Sequence, residues 1–165
     1  MNERLDQLRR LMEERHMDAY LIPTSDFHES EYVGEYFKCR RFITGFTGSA
    51  GTAVVTAKEA GLWTDGRYFV QAAKELEGSG FTLQKMDEEG VPTVEEYLAD
   101  VIPQGGVLGF DGRVVNSQLG EAIKEELEPK NVTFSFQEDL VGKIWSDRPE
   151  MSAEPVWILE EKYAG

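Results

Sequence analysis

The segment Trp63–Tyr68, WTDGRY in one-letter code, combines an aromatic ring, a carboxylate, a glycine and a guanidinium. It lies at a predicted strand-to-helix junction, because an apolar run precedes it and helical spacing follows it. Arg67 carries a planar fork of five donors that suits a carboxylate or peptide carbonyls. On composition alone a simpler interpretation is favoured, in which Asp65 caps a helix and Arg67 pairs with one of 31 acidic residues on the surface.

The glycine-rich stretch Gly45–Gly51, GFTGSAG, is a second candidate. Backbone amides of small residues can cradle an anion, as in a phosphate loop. This stretch contains no lysine and no Gly-Lys-Ser/Thr ending, and a predicted strand follows it where nucleotide motifs require a helix. A tight entry into that strand is the better interpretation, and nucleotide binding is excluded.

Few side chains are available for metal or nucleophile chemistry. The chain has two histidines, His16 and His28, and one cysteine, Cys39. Zinc sites built on Cys and His need more of these residues. No nucleophile elbow is present to support a Ser-His-Asp triad. His28 with Glu29 and Glu31 lacks the helical i, i+4 spacing of a metal motif, so we expect no metal there. Cys39 has cationic neighbours but no nearby base, which favours a buried or unreactive thiol.

Hydrophobic periodicity predicts strands that alternate with helices. Helices are predicted from the start of the chain to near Met17, for Glu31–Phe42, after Asp65, after Thr93 with Glu96 completing a cap, for Leu119–Leu127 and for Leu140–Trp145. Strands are predicted at Ala19–Ile22, Thr52–Thr56, Gly61–Thr64, Phe81–Met86, Val107–Phe110 and Val132–Phe136. The two strands that flank Lys58-Glu59 form a predicted hairpin, so the expected class is α/β with a mixed sheet.

The composition is that of an acidic globular domain. The 165 residues are 41% hydrophobic and 29% charged, which is enough for one domain with its own core. Lys plus Arg number 17 against 31 Asp plus Glu, giving a net charge of −14. Such a surface repels phosphate groups, so nucleic acid and anionic membranes are poor partners. A charged N-terminus and a single cysteine favour the cytoplasm.

The chain changes character at Asp147. Residues 148–155 contain two prolines and no periodicity, and a new apolar run follows at Trp157. We therefore expect a domain over residues 1–146, followed over 147–165 by a linker and the start of a further domain outside this sequence. We find no internal repeat.

The sequence from Pro23 to Ala72, which includes FTGSAG and WTDGRY, closely resembles the N-terminal domain of Xaa-Pro aminopeptidases (aminopeptidase P) in the creatinase and prolidase superfamily. The likeness continues through Pro92-Thr93 to Lys143–Glu150, KIWSDRPE, so it covers nearly the whole chain. The resemblance implies a mixed sheet with helices on both faces, with a ribonuclease H-like motif.

The resemblance also implies a three-domain parent enzyme. Its C-terminal pita-bread domain would bind two divalent metal ions, usually manganese, and remove the N-terminal residue that precedes a proline. The first domain would carry no catalytic residue and no metal, and would shape the substrate cleft and contribute to a homodimer. A peptide with proline at its second position and the following domains of the same chain are the implied partners.

In this family the arginine of WTDGRY contacts the bound peptide, and the matching position here is Arg67. This role reverses the simpler interpretation of Arg67 as a surface ion pair. The other residues that the resemblance brings to the cleft are Asp65, Tyr68, Phe46, Gly48 and Ser49.

Two alternatives stay open on the sequence. The fold also occurs in proteins that have lost catalysis, so the chain can be the first domain of an inactive pita-bread-type protein that binds peptides or histones. A creatine- or dipeptide-specific hydrolase is disfavoured, because WTDGRY and FTGSAG resemble the aminopeptidase P branch. His28 lies in a loop where relatives often carry a histidine, and we assign it no role.

Overall fold

The computed structural model describes residues 2–163. Its helices are α1 (Glu3–Glu14), α2 (Cys39–Thr44), α3 (Phe69–Glu75), α4 (Val94–Val101), α5 (Ser117–Leu127) and α6 (Leu140–Ile144). Its strands are β1 (Ala19–Pro23), β2 (Thr52–Thr56), β3 (Ala60–Thr64), β4 (Thr82–Lys85), β5 (Val107–Phe110) and β6 (Thr133–Ser135). Short 3-10 turns occur at Glu35–Phe37, Gly66–Tyr68, Glu128–Lys130 and Glu161–Tyr163. None of the helices over residues 2–163 has the length and apolarity needed to span a membrane.

The six strands form one mixed sheet in the order β4-β3-β2-β1-β5-β6. β2 is antiparallel to both β1 and β3, whereas the pairs β3–β4, β1–β5 and β5–β6 are parallel. β2 therefore opposes the direction of all the other strands. As a result, the chain leaves β1 after Pro23, β3 after Thr64 and β5 after Phe110 at the same edge of the sheet. The chain also enters β2 at this edge, at Thr52, and we call it the carboxyl edge.

Helices cover both faces of the sheet, as the resemblance implied. Alternate residues of a strand point to opposite faces, and β1 is buried on both. Tyr20 and Ile22 join an apolar cluster with side chains of α1, α2, α3 and α6. Ala19 and Leu21 join a second cluster with side chains of α4 and α5. Each fully buried aliphatic side chain in these clusters stabilises the fold by roughly 1.5–3 kcal/mol.

The predicted cap at the start of α4 is confirmed in atomic detail. Thr93 Oγ1 accepts a hydrogen bond from the backbone N–H of Glu96 at 3.2 Å, and Glu96 Oε2 accepts one from the backbone N–H of Thr93 at 2.8 Å. This reciprocal pair occupies two backbone donors that the helix itself leaves without partners.

The helix predicted for Glu31–Phe42 is wrong over most of that range. A 3-10 turn at Glu35–Phe37 precedes α2, which begins only at Cys39 and continues to Thr44. None of residues 31–39 is fully buried and Tyr32 is 82% exposed, so this part of the chain has no apolar stripe that a helix buries. Phe37 instead packs edge-on against Phe27, with ring centroids 4.7 Å apart.

The packed structure extends to Arg148. Its Nη1 donates to Asp139 Oδ2 at 2.5 Å, and its guanidinium lies 3.7 Å from the centre of the Tyr36 ring. Residues 151–160 form no helix or strand, and Val156 and Ile158 are almost fully exposed. The division at residue 146 stays a prediction.

Candidate functional site

Asp65 and Arg67 form a hydrogen-bonded ion pair where β3 leads into α3. Asp65 Oδ1 accepts hydrogen bonds from the backbone N–H of Arg67 at 3.0 Å and from its Nε at 2.9 Å, and Oδ2 accepts from its Nη2 at 2.9 Å. We call this pair the first clasp. Asp65 was predicted to cap an α-helix, and the structure places the 3-10 turn Gly66–Tyr68 between Asp65 and α3. The same carboxylate thus both caps the turn and orients the guanidinium.

The first clasp presents an ionised fork to solvent. The Arg67 side chain is 70% exposed and that of Asp65 is 30% exposed. Asp65 occupies two of the five guanidinium donors, and no other group between residues 2 and 163 accepts from the remaining three. Their hydrogen bond raises the pKa of Arg67 and lowers the pKa of Asp65, so both stay charged near neutral pH. The geometry suits a carboxylate or a pair of carbonyl oxygens.

Tyr68 joins the first clasp to the glycine-rich loop Gly45–Gly51, which we call the glycine loop. The Tyr68 hydroxyl lies 2.7 Å from Ser49 Oγ, and this hydrogen bond lowers the pKa of Tyr68. The Tyr68 ring packs edge-on against Phe46, with centroids 5.8 Å apart. The Arg67 guanidinium lies 5.3 Å from the centre of the same Tyr68 ring. One aromatic ring therefore contacts both parts of the site.

Gly48 has no room for a side chain. A Cβ atom there would overlap the Phe46 ring and would lie 2.8 Å from Tyr68 Cδ1. Gly45 meets a different need, since it ends α2 with a φ of 81° in the left-handed region. These glycines serve close packing and a helix end, in keeping with the interpretation of the stretch as a tight entry into β2.

Arg40 holds the glycine loop from beneath and was missed by the sequence reasoning. It is only 3% exposed, and it donates from Nε to Thr24 Oγ1 at 2.9 Å and from Nη1 to the Phe46 carbonyl at 2.6 Å. Its Nη2 donates to the Gly48 carbonyl. Burial lowers the pKa of Arg40 to about 10, so it stays a cation at neutral pH. In the sequence, Arg40 is only one of the cationic neighbours of Cys39, because no local pattern of residues indicates that an arginine is buried.

Glu75 of α3 holds the opposite side of the glycine loop. Its carboxylate accepts from the Thr47 backbone N–H at 2.7 Å and from Thr47 Oγ1 at 2.8 Å. Gln71 donates to Thr47 Oγ1 at 2.9 Å and to Glu75 Oε1 at 3.1 Å. These bonds lower the pKa of Glu75, while its partial desolvation opposes them. The glycine loop is thus fixed by side chains from both α2 and α3.

A cavity of ≈ 220 Å³ opens beside the glycine loop. Thr24, Phe37 and Arg40 line one part of it, and residues 47–49 line another. Asp65, Arg67 and Tyr68 do not line this cavity, but the Tyr68 hydroxyl is hydrogen-bonded to Ser49, which does. The structure therefore brings the sequence-predicted residues to one region, with Gly48 and Ser49 at the cavity and the first clasp beside it.

Of the other chemical candidates of the sequence, Glu31 lines this cavity, whereas His28 and Glu29 line a neighbouring one. Burial raises the pKa of the Cys39 thiol to about 12, and Arg148 Nη2 lies 3.3 Å from its Sγ. A protonated, partly buried thiol is a poor nucleophile, as expected from the sequence. Over residues 2–163, no three His, Cys, Asp or Glu side chains are grouped so that they could hold a metal ion.

The family model of the creatinase/prolidase N-terminal domain matches residues 4–143. Aminopeptidase P2 of Arabidopsis thaliana is 44% identical over 170 residues, an alignment that covers 100% of this chain and 24% of the plant protein. A probable Xaa-Pro aminopeptidase P of Talaromyces marneffei is 43% identical, over 99% of this chain and 25% of the fungal protein. The chain thus spans about a quarter of the length of these curated relatives.

Solved structures carry the same fold. The X-prolyl aminopeptidase of Caenorhabditis elegans, described as a cytosolic enzyme with a di-nuclear active site, superposes with a TM-score of 0.86 at 36% identity. That match covers 96% of this chain and 27% of the nematode chain. The N-terminal domain of the peptidase PepQ from Mycobacterium tuberculosis superposes with a TM-score of 0.62 at 31% identity, covering 87% of this chain and 99% of that domain.

The resemblance found in the sequence is therefore confirmed by a family match over most of the chain and by the fold itself. This protein belongs to the creatinase/prolidase N-terminal domain family.

Proposed function

We propose that the chain is the non-catalytic N-terminal domain of a metal-dependent Xaa-Pro aminopeptidase, an enzyme that removes the residue preceding a proline. The relatives support this, since the plant, fungal and nematode proteins all bear aminopeptidase P or X-prolyl aminopeptidase names. Their extra length is about three quarters of each protein, which is ample for the catalytic part.

In this proposal the catalytic metals are two divalent ions, taken to be manganese, in a following domain. The nematode relative is described as having a di-nuclear site. The described residues of this chain do not fit such a site, because no three potential ligands come together among residues 2–163. The chain's own contribution is the binding and orientation of the peptide.

The observation that carries the proposal is the first clasp. Arg67 is 70% exposed, and its Nε and Nη2 both donate to Asp65, the bidentate geometry that distinguishes an oriented ion pair from a loose one. A fixed fork binds a peptide carbonyl or carboxylate with less loss of side-chain entropy than a mobile arginine would. Arg67 is the proposed substrate contact, and Asp65 and Tyr68 orient it.

The glycine loop forms the adjoining wall of the proposed cleft. Phe46 and Gly48 set its shape, and Ser49 places a hydroxyl beside Tyr68 at the cavity. The rigid support from Arg40 and Glu75 matches what a substrate-shaping wall requires, because a mobile loop would lose ordering entropy on binding.

The proposed partners are the following domains of the same protein, a second copy in a homodimer and the peptide substrate. The cytoplasm is the proposed compartment, in line with the cytosolic description of the nematode relative. A net charge of −14 disfavours nucleic acid and anionic membranes as partners.

The test is to assay this chain and the longer protein that contains it side by side on an Xaa-Pro peptide with manganese. We expect cleavage by the longer protein alone. Cleavage by the 165-residue chain would overturn its non-catalytic role. No cleavage by either, with peptide binding retained, would favour an inactive pita-bread-type binding protein.

A further inference from the structure

A second Asp-Gly-Arg unit follows β5 and repeats the geometry of the first clasp. Asp111 Oδ1 accepts from the backbone N–H of Arg113 at 3.0 Å and from its Nε at 2.9 Å, and Oδ2 accepts from its Nη2 at 2.9 Å. These three distances equal those between Asp65 and Arg67. We call Asp111–Arg113 the second clasp.

Both clasps lie at the carboxyl edge of the sheet, because β3 and β5 run in the same direction. Two strands, β2 and β1, separate β3 from β5. At about 4.8 Å between neighbouring strands, β3 and β5 are about 14 Å apart at this edge, which sets the scale for the separation of the clasps. An extended peptide advances about 3.4 Å per residue, so about four residues span that distance.

The loop after β1 contributes residues to two cavities near the clasps. Tyr68 of the first junction contacts Ser49, and Ser49 lines the ≈ 220 Å³ cavity together with Thr24. The next residue, Ser25, lines a neighbouring cavity of ≈ 270 Å³ that Arg113 also lines. The loop after β1 therefore lines both cavities, and Arg113 lines the second, while Arg67 is linked to the first through Tyr68 and Ser49.

The surroundings of Arg113 favour a neutral acceptor over an anion. Its side chain is 52% exposed, whereas Asp111 is 13% exposed. Asp111 already balances the charge of the guanidinium, and Asp139 Oδ2, which pairs with Arg148 at 2.5 Å, lies 3.7 Å from Arg113 Nη2. Asp26 and Glu29 add further negative charge to the rim of the same cavity. The guanidinium also lies 5.2 Å from the centre of the Phe27 ring, which provides an apolar wall. A backbone carbonyl of a peptide satisfies these conditions.

Resting on the proposed function, we propose that the second clasp is a remote substrate-binding site. Arg113 donates to a backbone carbonyl of an extended peptide whose nearer part is held by Arg67. The site makes the enzyme prefer peptides long enough to reach both clasps. A tripeptide is too short to do so, whereas an octapeptide spans the edge with residues to spare.

The experiment measures kcat/KM of the longer enzyme that contains this chain, with a tripeptide and an octapeptide that both carry proline at the second position. Arg113→Ala should lower the ratio of kcat/KM for octapeptide over tripeptide about tenfold, the loss typical of one charged hydrogen bond. KM for the octapeptide should rise while kcat stays the same, because a contact remote from the reacting bond binds the substrate and the transition state equally well. Arg113→Lys keeps the cation without the fork and should lower the ratio in the same direction.

The matched control is Arg10→Ala, an exposed arginine on α1, which should leave the ratio unchanged. An Arg113→Ala enzyme with an unchanged ratio, or with equal losses for both peptides, would overturn the remote site while leaving the proposed function intact. A wild-type enzyme that cleaves neither peptide would overturn both. If Arg113→Ala fails to fold, the ratio measured for Arg113→Lys decides in its place.

Discussion

The Tyr68 hydroxyl and Ser49 Oγ lie 2.7 Å apart although 19 residues separate them in the chain. This bond joins the segment after β3 to the segment before β2, at the one edge of the sheet where both are found. Arg67 directly precedes Tyr68 in the chain. The position of the exposed guanidinium therefore depends on the glycine loop as well as on Asp65.

Arg67→Ala in the longer enzyme should lower kcat/KM about 10- to 100-fold with metal content unchanged, as expected for a lost charged hydrogen bond to substrate. Thermal stability should hardly change, since the side chain is 70% exposed. Steady-state kinetics measures kcat/KM, metal analysis measures the metal content, and thermal unfolding measures Tm. Wild-type turnover would remove Arg67 from the site, and a large fall in Tm would assign it a structural role.

Arg40→Met should destabilise the domain by about 3 kcal/mol, because two buried carbonyls and a hydroxyl lose their donor. Urea unfolding of this chain measures the free energy of unfolding. Arg41→Met is the matched control, since Arg41 is 48% exposed with one ion pair at 3.7 Å, and should cost under about 0.5 kcal/mol. Equal losses in the two variants would contradict the role of Arg40 beneath the glycine loop.

Gly48→Ala should disturb the site without touching the first clasp directly. The added Cβ would lie 2.8 Å from Tyr68 Cδ1, so the ring must move and its bond to Ser49 is lost. Overpacking of this kind typically costs about 1–3 kcal/mol, and kcat/KM should fall with it. Gly34→Ala is the control, because its Cβ would meet only Phe37 at an ordinary 3.9 Å. A Gly48→Ala enzyme equal to Gly34→Ala would refute the close-packing argument.

Glu138 should make the stability of the domain depend on pH in acid. Hydrogen bonds from Arg15 and Lys143 lower its pKa to about 2, and the Lys143 contact is 2.7 Å long. A carboxylate whose folded pKa is depressed stabilises the protein above its unfolded pKa of about 4.3, and that stability is lost as the pH falls toward 2. Glu138→Gln should therefore be less stable than wild type at pH 7.

The difference between Glu138→Gln and wild type should shrink between pH 4.3 and 2. Chemical denaturation across this range measures it, with Glu13→Gln on the exposed side of α1 as a control. A difference that stays constant over the whole range would show that Glu138 does not titrate differently in the folded and unfolded chains.

Much of the local structure follows from short-range patterns. The Thr93–Glu96 cap involves residues three positions apart, so their types and spacing alone predict it. The sequence placed Asp65 and Arg67 at one junction, but their two-point hydrogen bonding is a finding of the structure. The sheet class follows from the alternation of strands and helices, and the family follows from the density of matching residues around WTDGRY. The helix expected for Glu31–Phe42 failed where Phe37 packs on Phe27, a contact that local periodicity does not encode.

The sequence by itself determined the fold class and the family, since the alternation of strands and helices and the motifs can be read along the chain. The tertiary structure alone decided that Arg40 is buried beneath the glycine loop and that Glu75 holds its other side. It also decided that the two Asp-Gly-Arg units share one edge, because the directions of β3 and β5 follow from strand pairings between distant segments. Burial and strand direction are properties of the assembled sheet, and no window of sequence contains them.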